Sequence, residues 1–231
     1  MTNTLHRFGA PETLQEDFIV FAMAARGVNE QGAPEKLQQF LRMALRHHPI
    51  NMGNGIKGSV YRPSQDLNPL AHWSRSETLD FESIIAGIDA CTVGAAVFDR
   101  IENVEAFLLD VKAADLGLSV NISALSDKGH ACCKKAGIAR HSVGYSLGFH
   151  GDLTLLPDRH VLELSTMCGH GMVSHNFARK MLDLVREGRR KPQEAAACMA
   201  RFCTCGVFNP SRAARILEDA RSGKQRDSSV S

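Results

Sequence analysis

The stretch PETLQEDFIVFAMAAR, residues 11–26, decides how the start of this chain is read. Pro11 suits a first helical turn, and Leu14, Phe18, Phe21, Ala22 and Ala25 recur at helical spacing. APEKLQQFLRMALRHH (33–48) repeats the pattern with Pro34, Leu37, Phe40, Leu41, Ala44 and Leu45 before Pro49 stops it. The expectation is an N-terminal helical hairpin over residues 1–50, suited to a lobe or a dimer interface.

Residues 51–75 are rich in glycine and proline and read as an irregular loop or lid. Its GNGIKGS resembles a phosphate loop only loosely and lacks the full spacing. Residues 76–190 read as an α/β core. SETLDFESIIAGID (76–89) is a capped helix, TVGAAVFD (92–99) a strand, and IENVEAFLLDVKAADLG (101–117) a helix closed by Gly117. LSVNISAL (118–125) is a strand and SDKGHACCKKAG (126–137) a helix. HSVGYSLGF (141–149) and HVLELST (160–166) read as a third and a fourth strand, and MVSHNFARKMLDLVREG (172–188) as a helix. Residues 191–221 form a C-terminal helical pair carrying Cys-x-Cys, and 222–231 a disordered tail. The expected class is α/β (α+β), with a small mixed sheet of about four strands in β-α-β-α-β-β-α order. The first three strands would run parallel through right-handed crossovers, and the fourth would return antiparallel beside the third.

The composition is that of a folded protein, with 44% hydrophobic and 23% charged residues among 231. A net charge of +2 advertises no nucleic-acid partner. No apolar run is long enough for a membrane span, and the first residues lack a secretory pattern, so a cytoplasmic setting is expected. Seven cysteines, an odd count, argue against a disulfide framework there.

Six of the seven follow residue 130. Cys168 lies in TMCGHGMVSH (166–175), between a strand-like run and a helix start, where free N–H groups stabilise a thiolate. Gly169 and Gly171 permit close backbone approach, Ser174 stands at the helix start, and His170 and His175 offer acid/base or ligand nitrogens. Cys203 and Cys205 sit in a turn able to place two thiolates on one ion. Adjacent helical residues point about 100° apart, so only one of Cys132 and Cys133 can face a site, and Cys133 is preferred. On the expected topology Arg140 and His141 share the rim with Cys168 and would bind an anion.

These residues point to a metalloenzyme with Cys168, Cys203, Cys205 and Cys133 as ligands. Thiolates from distant segments suit a 4Fe-4S iron–sulfur cluster, with zinc as the alternative. The reaction expected is that of a lyase or desulfidase on a small anionic substrate, with Cys168, His170 and His175 as catalytic groups and a homo-oligomer as the assembly. Two other readings stand beside it. One is a metal-free thiol enzyme with Cys168 as nucleophile and His170 or His175 as base. The other is a non-enzymatic structural-zinc interaction module.

Overall fold

The computed structural model describes residues 5–55, 58–61 and 80–223. The chain is a mixed α/β protein of three layers around one sheet of five strands. The strands are β1 (Phe18–Met23), β2 (Asn51–Asn54), β3 (Gly58–Ser59), β4 (Val93–Phe98) and β5 (Ser119–Ser123), in the order β3-β2-β4-β1-β5. Every neighbouring pair is antiparallel.

The stretch that opened the reading is not a long helix. Only α1 (Pro11–Leu14) is helical, and Phe18–Met23 forms β1, between β4 and β5. Its Ile19 and Phe21 enter one core, and its Phe18, Val20 and Ala22 the other. A strand covered on both faces is apolar at every position, so its period of two vanishes and helical spacing can be read into it. Buried this way, residues 18–23 cannot be a dimer interface. The second expected helix is present as α2 (Ala33–Leu45).

Part of the expected loop is also sheet, since β2 and β3 lie within 51–75; residues 62–79 fall outside those described. The capped helix is α3 (Phe81–Ala86), with the Asp80 carboxylate accepting from Ser83 N. It is followed by β4, α4 (Ile101–Ala114), β5 and α5 (Ser126–Lys135). β4 and β5 run in the same direction, as expected of strands joined by a crossover helix, but β1 lies antiparallel between them. Helices α2 to α5 pack on one face through Leu37, Phe40, Ile85, Val104, Phe107 and Cys132.

The other two expected strands are absent. Residues 138–150 form neither helix nor strand, and 160–165 belong to α6 (Arg159–Ser165), with Thr166 at its C-terminal cap. Asp158 caps α6 by accepting from Val161 N, and the helix is so deeply buried that its apolar run mimics a strand. It is followed by α7 (His175–Arg186), α8 (Pro192–Ala200) and α9 (Pro210–Arg221), which cover the second face. Among the described residues no helix is long and apolar enough to cross a membrane.

A buried ion network ties this second layer to the sheet. Arg212 on α9 donates to Asp17 Oδ2 at 2.9 Å, to Glu163 Oε2 at 3.1 Å and to the Phe8 carbonyl at 3.0 Å. Arg7 donates to the same Asp17 oxygen at 2.6 Å, and Asn209 to Asp17 Oδ1 at 3.0 Å. Burial alone would push the Asp17 carboxyl up, but the Arg7 and Arg212 charges with the Asn209 and Arg7 hydrogen bonds hold it below its ordinary value. A depressed folded pKa means that this stabilisation is complete above the unfolded carboxylate value. It is lost as pH falls through the lower, folded one. Urea midpoints measured from pH 7 downward should therefore lose Asp17's contribution only below about pH 4, and Asp17→Asn should remove that part of the decline.

Candidate thiol and metal site

Two loops meet over the second face of the sheet. One, 166–174, joins α6 to α7, and the other, 201–209, joins α8 to α9. The first turns at Gly169, whose N–H donates to Thr166 O at 2.8 Å. Gly169 has φ +71°, and a Cβ there would stand 2.9 Å from the Leu5 Cα, so both backbone and space exclude a side chain. Ser174 caps α7 by accepting from Phe177 N at 3.2 Å.

The second loop is pinned to the sheet edge. Ser59 Oγ donates to Cys203 O at 3.0 Å and Asn51 Nδ2 to Phe208 O at 2.8 Å. Gly53 of β2 and Gly206 of the loop pack backbone to backbone: a Cβ on Gly53 would overlap the Cys205 carbonyl, and one on Gly206 the Met52–Gly53 peptide.

These loops bring Cys168, Cys203, Cys205 and His170 into one array. Cys168 and Cys203 are close enough for their thiols to shift one another's acidity. Cys203 Sγ lies 3.7 Å from Cys205 Sγ, and Cys205 Sγ lies 3.3 Å from His170 Nδ1. The thiols are buried and His170 faces outward. The nearby Cys203 thiol and burial push the Cys168 thiol up. The Cys168 thiol pulls Cys203 down, but its bond to Cys205, burial and the Cys205 charge outweigh this and raise it. The Cys203 hydrogen bond lowers Cys205 below the ordinary thiol value against the opposing effect of burial. Cys205 is thus the favoured thiolate of the three, with two thiols behind it and an imidazole in front.

Beside the array is an apolar pocket of about 20 Å³, lined by Leu5, Phe21, Val93, Ala95, His170 and Cys205. That is room for little more than one water. The donor set, three sulfurs and a nitrogen, has the softness of a zinc site. Cys203, Cys205 and His170 stand in a row with Cys205 in the middle, and among the described residues no group of three or more His, Cys, Asp and Glu is already arranged to hold a metal.

Other expected residues lie elsewhere. Cys133 is on α5, which packs on α4 across the sheet from Cys168. Burial pushes its thiol up, with the Arg140 charge opposing. Its neighbour Cys132 lies in the first-face core, where burial pushes the thiol up to about 11. Arg140 and His141 are exposed on the 138–150 segment and line a different cavity from His170 and Cys205. His175 is the exposed first residue of α7, and Gly171 turns the first loop at φ +66°. Sequence reasoning missed the pocket floor of Phe21, Val93 and Ala95 because two of its segments meet only through the β1–β4 pairing. No protein-family model, curated protein or solved structure matches the chain.

Proposed function

We propose that this chain is a metal–thiolate protein in which one soft divalent ion of the zinc type joins Cys168, Cys203, Cys205 and His170. The observation that carries the reading is the spacing along the array. Two thiolates on one tetrahedral zinc, each about 2.3 Å from the ion, stand about 3.8 Å apart, and a thiolate and an imidazole nitrogen about 3.5 Å. The values here are 3.7 and 3.3 Å. Thiolates on separate irons of a cluster sit further apart, so a single ion fits this pair better than the iron–sulfur centre read from composition. Binding draws the row into a shell and fastens the α6–α7 loop to the α8–α9 loop. The role is one of metal-dependent assembly of the second helical layer, in a reducing, cytoplasmic setting that keeps all seven cysteines free. The small pocket and the separation from Arg140 and His141 leave no anionic substrate assigned to this site.

Cobalt(II) titration of the reduced protein tests this. One equivalent should give intense thiolate-to-cobalt absorption, displaced by zinc. Cys203→Ser should weaken binding by more than about 100-fold, beyond the loss usual for an outer partner. Iron with acid-labile sulfide, or no stoichiometric ion, would sink the proposal.

The Cys205–His170 contact supports a second reading, a metal-free thiol enzyme whose nucleophile is Cys205 rather than Cys168. It requires one thiol alkylated far faster than the rest, with unchanged rate after zinc addition. The metal reading requires zinc to protect Cys205.

A further inference from the structure

The sheet ends at β5, and among the described residues no strand pairs its outer edge. Alongside runs the 138–150 segment, without helix or strand. Its sequence is nonetheless written as a strand. Val143, Tyr145, Leu147 and Phe149 alternate with Ser142, Gly144, Ser146 and Gly148. Val143, Tyr145 and Leu147 are 46%, 64% and 81% exposed, an apolar row that a lone copy leaves in water.

This arm stands off its own β5. Between them is a cavity of about 740 Å³, with Ser119, Asn121 and Ser123 on one wall and Arg140, Val143 and Tyr145 on the other. The Asn121 Nδ2 is buried on β5 with no acceptor. The gap borders the edge of β5 that no described strand pairs, and all five β5 residues line it.

We infer that the occupant is the same arm of a second copy, so that two chains exchange residues 141–149 across a two-fold axis. Each arm then lies between the other copy's β5 and the other copy's arm, giving the strand order β5, arm, arm, β5. The sequence is self-complementary in the antiparallel sense. Centred on Ser146, Val143 faces the partner's Phe149, Tyr145 the partner's Leu147, and Gly144 the partner's Gly148. At the ends, exposed Arg140 faces the partner's Asp152, an opposite charge, on both sides of the axis. Apolar residues meet on one face and small ones on the other. Gly148, at φ +81°, and Gly151, at φ +101°, are the two bends to flatten, and glycine moves between these regions without steric cost. In a single copy Phe149 packs on Phe8, with ring centroids 5.5 Å apart, and this contact is the one that the exchange must break.

Light scattering on the purified full chain should give a dimer at micromolar concentration. Tyr145→Lys with Leu147→Lys should give a folded monomer with unchanged circular dichroism, because both side chains are exposed in a single copy. Arg140→Asp and Asp152→Arg should each weaken the dimer about tenfold, and the two together should restore it. Ser146→Cys should cross-link copies under mild oxidation, read by mass spectrometry against the unsubstituted chain, while Leu155→Cys should not. A monomeric unsubstituted chain, a dimer indifferent to the double lysine variant, or no cross-link at 146 would overturn the inference.

Discussion

Arg212→Ala should lower the melting temperature by roughly 6–20 °C, the largest loss expected from any single charged residue described. The side chain is fully buried and serves four acceptors: Asp17, Glu163, the Phe8 carbonyl and, at 3.3 Å, Thr13 Oγ1. Removing it leaves two carboxylates deep in the protein, although Arg7 still reaches Asp17 and Arg159 still reaches Glu163. Breaking a buried ion pair from one side costs about 3–5 kcal/mol. For a chain of this size each kcal/mol is about 2–4 °C. Arg215→Ala is the control. Arg215 pairs with Glu16 at 3.2 Å on the surface, where such pairs contribute about 0–1 kcal/mol. Thermal melts of both variants decide the matter, and equal losses would show that the network is not the fastener described.

Gly206→Ala should be nearly as damaging, and should remove metal binding as well. Gly206 holds φ +72°, which costs an L-residue about 1–2 kcal/mol. The added methyl would also overlap the Met52–Gly53 peptide, a backbone contact with no side chain able to yield, adding about 1–3 kcal/mol. The only relief is to push the Cys205 loop away from β2, which breaks its spacing to His170. The expected result is a loss of about 3 kcal/mol or more in urea unfolding, together with weak cobalt binding. Gly171→Ala separates the two effects. It shares a positive φ of 66° but its Cβ would meet nothing, so it should cost only the backbone part and bind cobalt normally.

The class of the fold was legible because α2, α4, β4 and β5 carry clear local signals: amphipathic spacing, a glycine stop, and short β-branched runs. The array of Cys168, His170, Cys203 and Cys205 was legible as a list but not as a geometry. The expected hairpin of 141–149 with 160–166 would bring Cys168 beside Arg140 and His141, and nothing in it places Cys203 and Cys205. In the structure the two loops instead leave helices on one face and descend to the sheet. The HVLELS run carries no period that separates a buried helix from a strand, and its decisive cap, Asp158, lies just ahead of it. FIVFAM was illegible for the converse reason, being buried on both sides. Arg212 gave no sign either. An arginine in NPSRAARILEDA reads as surface, and only its three-dimensional neighbours, Asp17 and Glu163 from far up the chain, reveal it as core.

The position of β1 also sets a schedule for synthesis. Residues 18–23 form an interior strand of the sheet, yet their partners, 93–98 and 119–123, come much later in the chain. At translation rates of about 5–20 residues per second, FIVFAM waits roughly 4–15 s for β4 to be made and roughly 5–20 s for β5. During that wait it is an apolar, uncharged, proline-free hexapeptide of the kind that nucleates aggregates. Nascent chains should therefore depend on a holding chaperone until the second half appears, and yield on overexpression should track that supply more than the stability of the finished protein.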